Sequence, residues 1–238
     1  EIEHPDARQR RFAVFHDFSS FQPYLEKIVD LLQRKADCYG WAEGGEPWDA
    51  LAEDYEPGCT AASVSEVFTP LRKQLQSLLD ELMGSETSPS NAFNEVTLPI
   101  EQQKAFVKAI AAQIGFDFEA GRLDESTHPF CGGTHCRDVR MTTRFHEDNV
   151  NDAIGSTMHE SGHGIYEQGL LFEHVGTQMG QAVSLGIHES QSRLWENQIG
   201  RTEAFWEVAN PWFREFFPDS PQWDAKTLNK IANAVSTG

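Results

Sequence analysis

Apolar residues recur three to four apart at Tyr24, Leu25, Ile28, Val29, Leu31 and Leu32, and the pattern stops at Gly40. That spacing predicts an amphipathic helix with a glycine end. A second stripe runs through Val67, Leu71, Leu75, Leu78, Leu79 and Leu82 to Gly84. Ser63 followed by Glu66 has capping-box spacing at its start. Residues 85–99 (SETSPSNAFNEVTLP) are polar and carry two prolines, so they read as a linker or surface loop. Ile100 to Ile114 is again helical in pattern, with Gly115 placed to terminate it.

The period then changes. Phe116 and Phe118 alternate with acidic residues, Gly132-Gly133 supplies a turn, and Val139, Met141 and Thr143 alternate with polar neighbours. A small antiparallel β hairpin or sheet is expected there. Helices resume near Asn149 and continue to about Val235, with breaks at Gly169 to Gly176, at Gly200 and at Pro218 to Pro221. The expected fold is mainly α, one domain throughout, with a helical part at 1–115, a β insertion at 116–146 and further helices at 147–238. The Trp and Phe cluster from Phe205 to Phe217 reads as core or interface.

Composition narrows the function. With 19 Lys and Arg against 37 Asp and Glu, the net charge is −18 over 238 residues. Such a chain is repelled by nucleic acid and by anionic membrane surfaces, so neither is an expected partner. No apolar run approaches the ~20 residues that span a bilayer. Four cysteines, Cys38, Cys59, Cys131 and Cys136, are too few for a disulfide framework and are expected as free thiols of a cytoplasmic protein.

Seven of the nine histidines fall between His128 and His188. Among them is His159-Glu160-Ser161-Gly162-His163, an H-E-x-x-H sequence. Residues i and i+4 share one helix face, so both imidazoles can reach a single Zn²⁺, and Glu160 projects beside it as a non-ligand base. A catalytic zinc needs a third protein ligand. The long metzincin form is excluded, because it requires Gly and His where Tyr166 and Gly169 stand. Glu167 lies ~12 Å along the helix from residue 159, too far for one ion. Glu173, His174, His188, Glu189 and Glu196 all qualify by chemistry, the last three on a predicted helix from Gln178 to Ile199. Spacing does not choose between His188 and Glu189.

Four motifs occur together: His128-Pro129-Phe130, Asp138-Val139-Arg140-Met141-Thr142, HESGH, and His188-Glu189-Ser190-Gln191. In this order the chain resembles the carboxypeptidase Taq family of zinc metallocarboxypeptidases. The resemblance implies a helical, zincin-like fold with a deep groove, a homodimer, and release of single C-terminal amino acids from peptides with a free C-terminus. It implies one Zn²⁺ (or Co²⁺) per chain on His159, His163 and Glu189, with Glu160 as general acid and base. His188 then stands beside the site. His128 becomes a possible oxyanion donor, Asp138 a residue that orients a ligand histidine, and Arg140 a residue lining the groove, with Thr142 completing the motif. On local grounds alone, Asp138, Arg140 and Thr142 read as a hairpin with an ion pair. The family's downstream I/V-R-x-x-A-D and Q-D-x-H-W motifs are not found here, so a central fragment truncated at both ends is expected. A zinc oligopeptidase that cleaves internally, and a metal-binding piece without turnover, remain the alternatives.

Overall fold

The computed structural model describes residues 18–85 and 92–234. Part of the expected linker, 86–91, and the expected end of the last helix at Val235 lie outside them.

The chain divides into two compact units, 1–84 and 85–238. The first holds α1 (Phe18–Tyr39), α2 (Pro47–Ala52) and α3 (Ala61–Met83). Gly40, with φ +71°, ends α1 as its pattern predicts. The cap of α3 is Thr60 rather than Ser63: Thr60 Oγ1 accepts from the Ser63 amide, and Ser63 Oγ accepts from the Thr60 amide. Ser63 is therefore the third helical residue, and the helix starts earlier than its first apolar position suggests. The α3 stripe is not a buried face, since Val67, Leu71, Leu75, Leu78, Leu79 and Leu82 are all exposed.

The second unit carries the core. It comprises α4 (Ile100–Gln113), β1 (Gly121–Glu125), β2 (Phe130–His135), β3 (Asp138–Thr143), α5 (Val150–Gln168), α6 (Leu185–Arg193), α7 (Glu203–Phe216) and α8 (Ala225–Ala232). Phe106 and Ile110 of α4, Ile154 and Met158 of α5, Trp206 and Phe213 of α7, and Leu228 of α8 form one buried cluster with Phe93 and Phe217. The aromatic cluster of the sequence is thus core. Phe106 meets Phe217 edge-on at 5.4 Å and Phe213 at 5.7 Å, arrangements that add to the stabilisation from area burial.

The expected small sheet is present, but it is mixed. Strand order is β1-β3-β2. β2 and β3 form the expected antiparallel pair, with Cys131 opposite Met141, whereas β1 lies parallel to β3, with Gly121 opposite Val139. The chain crosses from one edge to the other before β3 fills the centre, an ordering that alternation along a strand does not encode. Val139 and Met141 pack with Ala111 and Phe116 in a second buried cluster, against Ile165 of α5. Two polar ties join sheet to helix: Thr143 Oγ1 lies 2.6 Å from Ser156 Oγ, and Ser161 Oγ donates to Met141 Sδ at 3.6 Å.

The helix expected from Gln178 is shorter. A 3₁₀ turn at Gln178–Gly180 comes first, and α6 begins at Leu185, where Ser184 Oγ accepts from the Ile187 amide. After Arg193 the helix widens over Leu194–Ile199 into π geometry, closed by a Gly200 amide to Trp195 carbonyl bond at 2.9 Å. Among the described residues no helix is long and apolar enough to cross a membrane.

Candidate metal centre

Helix α5 starts cleanly because Asn149 caps it, its side chain accepting from the Asp152 amide at 3.3 Å. It is buried on several faces, including Met158, Glu160, Ser161, Gly162 and Gly164. A residue without a side chain at 162 lets the α6 backbone approach: a Cβ there would lie 2.5 Å from the Gln191 carbonyl oxygen and from Ser192 Cα. That contact sets Glu189, one turn earlier on α6, over His159 and His163.

The three side chains converge. Glu189 Oε2 lies 3.2 Å from His163 Nε2 and 3.7 Å from His159 Nε2. One donor atom from each of the three falls within 4.8 Å of the others. Zinc bonds of ~2.0–2.1 Å at tetrahedral angles hold neighbouring ligand atoms about 3.3 Å apart, so these separations suit a single ion. Two imidazoles and one carboxylate are also the donor set of known catalytic zinc sites.

The adjacent residue points elsewhere. His188 Nε2 is 2.8 Å from Glu167 Oε1, and its ring stacks on His163 at 4.5 Å with 17° between planes. Geometry therefore separates His188 from Glu189, which spacing alone did not. Glu167, too far along α5 to join His159, is the partner of His188 instead.

Around the donors, Arg193 Nε donates to Glu189 Oε1 at 2.8 Å, leaving Oε2 toward the histidines. Glu196 Oε2 lies 2.9 Å from His159 Nδ1 and accepts from an Arg193 guanidinium nitrogen at 3.2 Å. Sequence reasoning considered Glu196 only as a third ligand. Its signal was the i, i+7 spacing from Glu189, which puts both on one helix face, just as i, i+4 pairs Glu189 with Arg193.

Glu160 is 6% exposed. Burial raises its carboxyl above the usual range, partly countered by the His159 charge and reinforced by that of Glu189. His163 is lowered to about 4, first by burial and then by the charges of His188 and His159. His159 is raised, chiefly by its bond to Glu196.

Glu160 and His159 open onto a cleft of about 700 Å³ that is also lined by His128, Arg144, Arg193 and Arg201. His128 thus reaches the same cavity, with Nδ1 2.7 Å from the Pro129 carbonyl. Asp138, Arg140 and Thr142 do not. Asp138 binds Arg140 through two bonds of 2.9 Å on the outer face of β3, and the carboxylate that meets His159 Nδ1 is that of Glu196. The reason is alternation: Asp138 and Arg140 share the outer face of β3, while Val139 and Met141 point to the helix. Thr142 is buried, and its hydroxyl meets Ser126 at 2.8 Å and accepts from the Phe130 amide at 3.1 Å, tying β2 to the end of β1.

Comparison with known proteins identifies the family. The family model described as carboxypeptidase Taq (M32) metallopeptidase matches residues 7–238. Thermostable carboxypeptidase 1 of Thermus thermophilus is 42% identical over 226 residues, and carboxypeptidase 1 of Bacillus subtilis is 37% identical over 221. The match to each takes in 92% of this chain, but only 44% and 43% of those proteins. A solved M32 carboxypeptidase from Deinococcus radiodurans superposes with a TM-score of 0.85 at 36% identity, covering 97% of this chain and 46% of that one. The chain therefore spans under half the length of the relatives it matches. Across that span, a helical fold with His159, His163 and Glu189 gathered beside Glu160 goes with a family match over almost its whole length, and the chain belongs to the carboxypeptidase Taq family of metallopeptidases.

Proposed function

We propose that the protein containing this chain is a zinc carboxypeptidase that releases single C-terminal amino acids from peptides, and that this span holds its metal and its proton-transfer group. The observation that carries the reading is the convergence of His159, His163 and Glu189 on one point beside a buried glutamate. A bound Zn²⁺ supplies a Lewis acid that acidifies water and polarises a scissile carbonyl. His159 and His163 offer Nε2 and Glu189 offers Oε2, all three turned toward one point. Glu160 takes the proton of the attacking water at its carboxylate and returns it to the leaving amine nitrogen. Burial suits it to both roles, since a carboxyl with a raised pKa holds a proton more readily near neutrality. His128 lines the same cleft, and in this reading it donates to the developing oxyanion. A cytoplasmic homodimer is part of the same reading.

An exopeptidase must also hold the terminal carboxylate of its substrate, best done by an arginine fork. The arginines lining the cleft are engaged: Arg144 with Asp152, Arg193 with Glu189 and Glu196, Arg201 with Glu196 and the Ala232 carbonyl. The anchor is therefore assigned to residues outside this span. The test compares a free-acid peptide with its C-terminal amide in the full-length protein, alongside metal analysis after gel filtration. One ion per chain and strong preference for the free acid are expected. Equal cleavage of the amide replaces this reading with an internal oligopeptidase. Metal loss in His188→Ala but not in Glu189→Ala overturns the ligand assignment.

A further inference from the structure

Outside the three donors, one carboxylate and one guanidinium each touch one of them and also touch each other. Glu196 Oε2 meets His159 Nδ1 at 2.9 Å and Arg193 at 3.2 Å, while its other oxygen lies 3.8 Å from Arg201. Arg193 in turn donates to Glu189 Oε1 at 2.8 Å. The structure assigns Glu196 and Arg193 as positioning residues of the metal centre, an inference that rests on the ligand reading above.

Each bond fixes one choice that a free side chain would leave open. A carboxylate facing Nδ1 keeps the proton on that nitrogen, so Nε2 presents its lone pair toward the other donors. A guanidinium on Oε1 leaves Oε2 as the oxygen of Glu189 that faces the histidines. The two bonds come from residues 193 and 196, at the junction where α6 passes into the π turn. In an unbroken α-helix residue 196 would stand ~10 Å along the axis from residue 189. Seven residues make almost two turns, so Glu196 keeps the helix face of Glu189 and meets the outer nitrogen of His159, within a π turn of the kind frequent at functional sites.

The third donor is held differently. His163 stacks on His188, which is fixed by Glu167, and among the described residues no side chain bonds its buried Nδ1. The centre is thus asymmetric, with His159 dependent on Glu196 and His163 dependent on packing.

The experiment measures Zn²⁺ affinity by chelator competition in the full-length protein and in its Glu196→Ala and Glu196→Gln variants, together with the thermal stability of each metal-free form. Loss of an outer partner of a ligand histidine typically weakens metal binding about 10–100-fold. That loss is expected for Glu196→Ala. Glu196→Gln should recover much of it, because the amide oxygen still accepts from Nδ1–H. The metal-free forms should unfold at similar temperatures. Affinity in Glu196→Ala within about twofold of the parent overturns the inference while leaving the ligand set standing. So does a Glu196→Gln variant no better than Glu196→Ala with a matching drop in metal-free stability, which marks a purely structural ion pair. A parent that binds no ion overturns both this inference and the ligand reading.

Discussion

Gly162 lies against the backbone of Gln191 so closely that a Cβ at 162 would sit 2.5 Å from the Gln191 carbonyl oxygen. Gly162, the residue before His163, is therefore part of the metal centre without carrying any chemistry. Intrinsic propensity favours Ala over Gly within a helix by about 1 kcal/mol. Here the packing term opposes it: backbone atoms must move, and overpacking of this kind costs about 1–3 kcal/mol. Gly162→Ala is expected to lower stability in denaturant titration and to weaken Zn²⁺ binding, because α6 carries Glu189. A variant more stable than the parent, with unchanged affinity, contradicts the contact.

Glu160→Gln should leave the ion in place and remove peptide hydrolysis in the full-length protein. The amide keeps the shape of the side chain but cannot accept a proton from water. General-base loss typically costs ~10²–10⁴ in rate. Rate measurement beside metal analysis checks both halves, and near-normal turnover assigns the base elsewhere.

The two ligand histidines are expected to titrate far apart in the metal-free protein. The Glu196 bond raises His159 above its usual 6.5. Burial, helped by the charges of His188 and His159, lowers His163 to about 4. For Glu189, burial acts upward, but Arg193, His159 and Ser192 together bring it below the usual carboxylate range. From about pH 5 to 6.5 His163 and Glu189 are then already deprotonated, and only His159 must lose a proton to bind metal. Affinity should rise about tenfold per pH unit across that window, where two ordinary histidines would approach a hundredfold at its acid end. The measurement belongs in Glu160→Gln, so that the raised Glu160 carboxyl adds no proton of its own. A slope near two rejects the split.

The four cysteines are free thiols with unequal surroundings. Cys131 is pushed up to about 12, first by burial and then by the charges of Glu160 and Glu167. Only the thiolate attacks an alkylating reagent. At about pH 8 iodoacetamide should label exposed Cys38 first and Cys131 more than tenfold later in the folded protein. Peptide mass spectrometry over time reads the order, and equal rates at Cys38 and Cys131 contradict the half-buried placement of Cys131.

Local pattern carried a large share of this structure. The helix of α1 ending at Gly40, α4 ending before Gly115, and the span of α5 follow from apolar spacing and from glycines whose positive φ, +71° at 40 and +112° at 115, suits a helix end. The pairing of His159 with His163, and the place of Glu160 beside them, follow from the helical repeat in the same way. The motif set also carried the family, because four separated motifs in one order are far more specific than any one of them.

Tertiary structure decided what depends on the relation between elements. Neighbouring residues on a helix point about 100° apart, so whether His188 or Glu189 faces the histidines depends on the rotation of α6 about its own axis. That rotation is fixed by the Gly162 contact with Gln191 and Ser192 and by the bond from His188 to Glu167. Asp138 and Glu196 are separated for a similar reason: alternation turns Asp138 to the outer face of β3, while the packing of α6 on α5 brings Glu196 to His159. Along the chain, spacing determined which residues share a face of one element. Only packing determined which faces meet, because the depth of a glycine contact, the widening of one turn and the crossing from β1 to β2 are set by neighbours distant in sequence.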